Sequence, residues 1–382
     1  MKTIVHISAD FPDPLVPAKT KAVANLLAET SGFRHVVYSL NRVSWKRGVR
    51  TLAFGDDRVA VAYGAPPYGL GLERFLRPVV DAIIDDLGRA GIRPDLLHAH
   101  KFSVDGLVTA GVAAGLKAPF IASVWGDTDI KIVDVKRGLR SRFLEIAASA
   151  RLLLPAAPWT ARYVQSTLAV PAERVEVLPV MTAADDVLPP KTVGNGKLIS
   201  VFSLDSWKRK GLDVLVEAMD RVARTHADAV LDVFGTGRPQ SLFAVAKLLQ
   251  EASPRGRVRL RGALSHGTVQ PVMNGYVAFV MAPRRETYGM VHAEAALAGL
   301  PLLWARDRGI DGLIDPGIGV RCDPASPAEV ADGIAYLITH EQMLKQRLAA
   351  QQAAGALRHL QRASIARAYA DTLRRAMGCP PA

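Results

Sequence analysis

Pro283-Arg-Arg-Glu-Thr-Tyr-Gly-Met-Val-His-Ala-Glu-Ala-Ala-Leu-Ala-Gly-Leu-Pro301 decides how this 382-residue chain is read. It follows an apolar run, 278–281, that reads as a buried strand, and it predicts a helix opening at about Gly289. A helix start leaves backbone N–H groups unpaired and carries a partial positive charge, a combination that favours a phosphate. Glycine at 289 lets a bulky anion approach the backbone. Glu286 falls in the loop ahead of the helix, and Glu294 lies roughly 7–8 Å along its axis. The two carboxylates can therefore flank a phosphate held between them.

The alternation of strand and helix continues on both sides of this stretch. Apolar runs at 198–202, 229–234, 258–261 and 302–304 each precede a helical segment, and residues from 327 onward read as all helical. In the first half, runs at 3–7, 35–38, 59–63, 96–99, 120–124, 152–154 and 175–178 repeat the pattern. Continuous Val/Ile/Leu runs of this kind are expected in parallel strands covered on both faces. The aperiodic stretch 182–197, with Asp185, Asp186, Pro189, Pro190, Gly194 and Gly196, reads as a linker between two α/β domains. We expect residues 1–185 to form one doubly wound parallel-sheet domain, 186–196 a linker, and 197–360 a second such domain. Ligands of open α/β sheets bind beyond the carboxyl ends of the strands, so the cleft between the two domains is the expected site.

Composition sets outer bounds. At about 150 residues per domain the length suits two cores, and 49% hydrophobic with 22% charged residues is globular. The N-terminal apolar run is too short for a secretory signal, and no run of about 18 apolar residues predicts a membrane span. Two cysteines, Cys322 and Cys379, make neither a disulfide scaffold nor a metal-spaced set, which suits the cytoplasm. The net charge of +12 favours an anionic partner, and its spread over both halves without a nucleic-acid motif argues against nucleic acid.

The 283–301 segment resembles the Glu-x7-Glu signature of the fourth family of retaining glycosyltransferases, the glycosyl transferases group 1. Tyr288 stands where that family often has Phe, and Leu297 where it often has Ala. The resemblance implies a GT-B fold, two Rossmann-like domains facing across a cleft, with a final helix, about 361–382, crossing back to the first domain. It implies that Glu286 contacts donor-sugar hydroxyls, Glu294 the nucleotide ribose, and the amides of Met290 and Val291 the β-phosphate. Thr287, Tyr288 and Gly289 complete that donor loop.

Ser206-Trp-Lys-Arg-Lys-Gly-Leu-Asp213 resembles the family's Lys-Gly-x-Asp turn, which makes Lys210 the diphosphate ligand and a catalytic residue beside Glu286. A fixed cation there stabilises the charge that grows on a departing nucleotide diphosphate. The Gly-Arg pair of many relatives is missing at Ser203 and Leu204, and Arg209 is expected to replace its arginine. Val233-Phe-Gly-Thr-Gly237 resembles a nucleotide-proximal turn through Gly235, and Gly262-Ala-Leu264 stands where relatives contact the base through the backbone.

In the first domain, Pro94-Asp-Leu-Leu-His-Ala-His100 and Ala122-Ser-Val-Trp-Gly-Asp-Thr-Asp129 resemble the family's His-x-His and His-Gly-x-Asp strand ends. His100 is thereby implied to touch the donor sugar or acceptor, and Asp129 to be the acidic position, while Trp125 replaces a histidine. The glycine-rich first loop of relatives is absent. Lys19 and Thr20 stand in its place, either as ligand contacts or as ordinary helix capping. No Gly-x-Gly-x-x-Gly or Walker pattern supports a dehydrogenase or kinase.

The family's mechanism is front-face attack with the leaving phosphate as base. No Asp-x-Asp motif calls for a metal, and no cofactor is expected beyond a UDP- or GDP-sugar as substrate. The acceptor is expected to be a glycan, a lipid-linked sugar or a small molecule. Segments 42–50 and 135–143 interleave cations with apolar residues, as a peripheral contact with anionic membrane would require. The rival readings are a nucleotide-sugar epimerase of the same shape and a catalytically inactive nucleotide-binding relative.

Overall fold

The computed structural model describes residues 1–43, 48–66, 69–252 and 256–379, with the side chain of His266 excepted. Two units divide the chain: Met1–Met181 with Arg362–Ala382, and Thr182–Gln361.

The first unit is built on seven strands, β1 (Lys2–Ser8), β2 (Phe33–Val43), β3 (Arg50–Ala53), β4 (Arg58–Gly64), β5 (Leu96–Ala99), β6 (Phe120–Val124) and β7 (Leu153–Pro155). Their order is β3-β4-β2-β1-β5-β6-β7, parallel except for the edge strand β3. Ile4, Val5 and Ile7 of β1 are fully buried, so both faces of the central strand are covered, as its uninterrupted apolar run requires. The chain steps outward from β1 through β2 to β4 and then returns beside β1 with β5. The order therefore reverses between β1 and β5, the point at which open sheets present their ligand crevice.

The helix Arg362–Ala376 buries Ile365, Tyr369 and Leu373 in a cluster with Ile4, Val37, Leu96 and Ile121. Its outer edge is tied by Thr372 Oγ1 donating to Glu176 at 2.8 Å and by Arg362 pairing with Glu29 at 2.8 Å. The last stretch of chain is thus part of the first unit's core.

The second unit carries β8 (Lys197–Val201), β9 (Val230–Phe234), β10 (Val258–Leu260), β11 (Ala278–Val280), β12 (Leu302–Ala305) and β13 (Gly319–Cys322), all parallel in the order β10-β9-β8-β11-β12-β13. Its reversal lies between β8 and β11, whose carboxyl ends lead into the 203–211 turn and the 281–289 loop.

Three sequence expectations need correction. Residues 175–178 make only an isolated bridge, Leu153 to Val175, although Glu176 N and Leu178 N donate to Leu153 and Pro155 at 3.0 and 2.9 Å. Pro155 has no N–H to return, which stops the ladder there. β3 and β13 went unread because neither is an apolar run: β3 is exposed at all four positions, and β13 reads Gly-Val-Arg-Cys. Residues 182–196, expected to be a linker from 186, are instead fastened to the second unit. Leu188 N donates to Leu297 O at 2.8 Å, Asn195 N to Gly275 O at 2.9 Å, and Asn274 Nδ2 to Pro189 O at 3.0 Å.

Candidate active site

At the reversal point of the second sheet, β11 runs into the loop that ends at Gly289, and the helix Met290–Leu297 starts there. Gly289 sits at φ +82°, and a Cβ on it would lie 2.9 Å from His292 Nδ1, so conformation and space both demand glycine. Met290 and Val291 occupy the first turn, where amides have no intrahelical acceptor, and no acidic side chain stands in that turn to occupy them. Among the described residues nothing else takes their hydrogen bonds, so both can meet an anion.

The turn after β8 is latched to the same loop. A Cβ on Gly211, at φ +78°, would lie 2.5 Å from Ala282 O, so the two backbones touch. Arg284 N donates to Arg209 O at 3.0 Å, and the Arg284 guanidinium grips Asp213 through two bonds of 2.7 and 2.8 Å and Lys208 O through one of 2.9 Å. This latch brings Lys210 Nζ onto Glu286 Oε2 in an ion pair that is nearly buried on both sides.

Burial alone would raise the Glu286 carboxyl, but the charge and hydrogen bond of Lys210 outweigh it and hold the group below its ordinary range. Its other oxygen accepts from Thr287 N at 3.1 Å. Glu294 lacks such a partner, and burial pushes it up to about 7 against a single 3.3 Å bond from Ala183 N and the backbone of Ala184. One motif thus holds an ionised glutamate and a glutamate that titrates near neutrality. His292 is pushed down to about 4 by burial; its Nε2–H donates to Met281 O at 3.0 Å, leaving Nδ1 an acceptor without a partner among the described residues.

The remaining second-unit positions divide. Gly235 closes β9 with its N–H on Gly262 O at 2.7 Å, and Leu264 follows β10 half-buried. Arg209 is exposed, its guanidinium 3.3 Å from Ser206 Oγ, and its charge adds only a minor lowering to the Glu286 carboxyl after that of Lys210. Tyr288 packs into the core at 2% exposure with its hydroxyl unpartnered among the described residues. Arg284, Asp213 and His292 are the residues sequence reading missed. Nothing in the pattern separates Arg284 from Arg285, and only the contact across 71 residues reveals it.

In the first unit, four histidines meet behind the reversal point. His35 Nε2 lies 2.9 Å from Thr30 O, His35 Nδ1 is 2.8 Å from His6 Nε2, and His6 Nδ1 is 3.1 Å from His100 Nε2. His98 lies tilted against His100 with ring centroids 4.0 Å apart and engages Tyr369 OH at 2.6 Å and Ser123 Oγ at 2.9 Å. Nitrogens of His6, His98 and His100 lie within 4.8 Å of one another, close enough to ligate a metal; the hydrogen bonds engage both nitrogens of His6 and of His98, while His100 Nδ1 has no partner among the described residues.

Asp129 is consumed by the fold. It accepts from Ser103 N and Oγ at 2.9 and 2.7 Å and from Trp125 N at 3.1 Å, pinning the Trp125 loop. Lys19 is likewise spoken for, its Nζ donating to Asp13, Ser39 Oγ and Leu40 O at 2.8, 2.8 and 3.1 Å. Thr20 Oγ1 accepts from Ala22 N at 3.3 Å, a capping contact at the start of the helix Ala22–Glu29. Of the expected acceptor-side groups, Trp125 is left with its indole edge-on to His100 at 6.2 Å. The first unit also holds a cavity of ≈ 920 Å³, lined by Lys19, Arg42, Arg50, Tyr63, Lys101 and Ser103 among others.

Comparison with known proteins identifies the second unit's domain and the fold. Residues 189–354 match the family described as glycosyl transferases group 1, so the second unit carries a domain of that family. A glycogen synthase of Mycobacterium tuberculosis is 28% identical over 163 residues, 41% of this chain and 37% of its own length. The match thus spans well under half of that relative. Among solved structures, sucrose-phosphate synthase from Thermosynechococcus elongatus superposes with TM-score 0.73 at 16% identity, covering 99% of this chain and 100% of that one. HepE from Anabaena, solved in complex with UDP, gives 0.72 at 15% identity, covering 98% and 100%. At such identities the likeness shows the fold, which is GT-B.

Proposed function

We propose that the chain is a retaining glycosyltransferase that moves a sugar from a nucleotide-sugar donor to a sugar-bearing acceptor. The observation that carries the reading is the Lys210–Glu286 pair, latched at the reversal point of the second sheet beside the free amides of Met290 and Val291. The amides and Lys210 would hold the donor diphosphate, Glu286 the sugar hydroxyls and Glu294 the ribose. The UDP bound by HepE favours a uridine nucleotide.

In the reaction the bond from the sugar's anomeric carbon to the diphosphate breaks while the acceptor oxygen bonds to the same face. The acceptor's proton passes to the leaving phosphate oxygen. Glu286 is a poor nucleophile for a double displacement because its charge is already engaged by Lys210, which supports front-face attack. Lys210 and the helix amides supply fixed positive charge to the leaving group, so the reading needs no metal. We place the enzyme in the cytoplasm at the membrane face, working on glycan or lipid-linked acceptors. Support comes from the net charge of +12 and the exposed Val135 beside Arg137 and Arg140. Of the other cationic segment, residues 44–47 lie outside the described residues. Among the described residues no helix is long and apolar enough to cross a membrane.

Incubating the purified chain with UDP- and GDP-sugars tests the proposal. Slow release of nucleotide diphosphate and free sugar is expected. Conversion to an epimeric nucleotide sugar, or binding without turnover, would overturn it.

A further inference from the structure

The ≈ 920 Å³ cavity of the first unit is walled by residues of that unit alone. Four cations and no acid stand among its described lining residues. Two of the four are neutralised from behind: Lys19 pairs with Asp13 at 2.8 Å and Lys101 with Asp10 at 2.7 Å. Arg42 and Arg50 have no acidic partner among the described residues, so the wall carries two surplus positive charges. Their placement follows from the sheet. Arg42 lies at the end of β2 in register with Tyr63 of β4, and Arg50 opens β3 opposite Ala62 of the same strand. With β4 between them their Cα atoms stand about 10 Å apart, a span across which two long side chains can close on one phosphate.

The rim of the cavity is apolar. Leu52 shares a face of β3 with Arg50, about 7 Å along the strand. It lines the opening with Leu15 and Val16, and the three are 46%, 45% and 42% exposed. Three large apolar side chains left in water around one opening are stabilised when the apolar part of a ligand covers them. The floor calls for a hydroxyl. The Asp13 carboxylate, ion-paired with Lys19, only accepts, so the 2.9 Å bond from Asn41 fixes Nδ2 toward it. Asn41 Oδ1 is turned the other way, buried and without a donor among the described residues. Tyr63, on the neighbouring strand, keeps its proton because burial pushes its hydroxyl up to about 12, and it can donate to a ligand oxygen.

We propose that this cavity binds an anionic amphiphile: a phosphate held by Arg42 and Arg50, a hydroxylated headgroup that donates to Asn41 Oδ1, and an apolar chain leaving over Leu15, Val16 and Leu52. The role of such a molecule as acceptor of the sugar rests on the transferase reading, while its binding stands on the lining alone. The same lining defines what the cavity refuses. A zwitterionic headgroup brings its own cation toward two arginines, and a phosphate without a chain leaves the apolar rim in water.

Calorimetry on the full chain tests the proposal, with each probe kept below the concentration at which it forms micelles. Dioctanoyl phosphatidylglycerol has all three parts. It should bind about tenfold or more tightly than dioctanoyl phosphatidylcholine, octyl glucoside or glycerol 3-phosphate, each of which lacks a part. Arg42→Met and Arg50→Met should each weaken phosphatidylglycerol about tenfold and flatten its dependence on salt. Their melting temperatures should stay at the wild-type value, because both side chains are exposed. Leu52→Asn should weaken phosphatidylglycerol and leave glycerol 3-phosphate unchanged. Equal affinity for phosphatidylcholine, or full affinity for phosphatidylglycerol in both arginine variants, would overturn the anion site. Glycerol 3-phosphate bound as tightly as phosphatidylglycerol would overturn the amphiphile, and no binding of phosphatidylglycerol would overturn both. The titration needs neither donor nor turnover. Phosphatidylglycerol bound by a chain that releases UDP from no UDP-sugar would refute the transferase reading and leave this site standing, whereas donor hydrolysis without such binding would remove the site alone.

Discussion

Lys210 and Lys19 occupy equivalent places, each in the turn that follows the central strand of its sheet, yet they are held in opposite ways. Lys210 has one acidic partner, Glu286, which comes from a different loop. Lys19 has three acceptors, and its counter-ion Asp13 also takes hydrogen bonds from Leu15 N, Val16 N, Ser39 Oγ and Asn41 Nδ2. A lysine with a single exchangeable partner can turn to an incoming diphosphate, while one closed inside its own loop serves the loop. Lys19 thus fastens an irregular, proline-rich loop in one shape.

The comparison breaks first at the second unit. Glu286→Gln should lower donor hydrolysis by about 10²–10³, the usual scale for removing one charged contact from a reacting centre, while calorimetry shows nucleotide binding largely kept. Lys210→Met should lower both. Because either single change strands a buried charge, the double variant supplies the folding control: it should melt above Lys210→Met and stay inactive. Full turnover in Glu286→Gln would remove that residue from the site.

In the first unit the same deletion should be felt as stability. Asp13→Ala leaves the Lys19 ammonium, only 10% exposed at its side chain, without its counter-ion, and should cost about 3–5 kcal/mol in chemical denaturation. Lys19→Met should cost less, since Asp13 keeps its other donors. Nucleotide affinity should be unchanged in Lys19→Met; a tenfold loss there would show that Lys19 does meet the donor.

This contrast also explains what could be read in advance. The Glu286 loop, Gly289 and the helix behind them lie within one short segment, so spacing along the chain already encodes spacing in space. β1, β2, β4 to β9, β11 and β12 were legible because each contains an apolar run, and β10 because it falls in the strand–helix alternation. The fate of Lys19 was not, because Ser39 reaches it, and Asn41 reaches its counter-ion Asp13, from β2, which is brought there by its register against β1. His6 and His100 meet across 94 residues for the same reason, β1 and β5 being neighbours in the sheet but not in sequence. Asp129 matched a pattern by position, yet three local donors had already claimed it.

The finest contrast lies inside the Glu-x7-Glu motif itself. Glu286 is held low by Lys210, so its contribution to stability is present above the ordinary carboxylate range and fades only in strong acid. Glu294 is raised to about 7, chiefly by burial, from the ordinary glutamate value of 4.5. Its folded form therefore binds the proton more tightly than its unfolded form, and the associated stability is complete below pH 4.5 and lost as the pH climbs through 7. At about 1.4 kcal/mol per unit the ceiling is ~3 kcal/mol, and the half-buried position of the side chain reduces the expected loss to about 1–2 kcal/mol. Glu294→Gln keeps an oxygen for Ala183 N and has nothing to titrate. Denaturation of the two proteins at pH 5 and pH 8 should show the wild type losing ground to the variant as the pH rises, and a constant difference would mean that Glu294 is ionised throughout. A ribose whose hydroxyls donate to the carboxylate would favour its ionised form, so nucleotide binding near pH 7 should release a fraction of a proton from the wild type and none from Glu294→Gln.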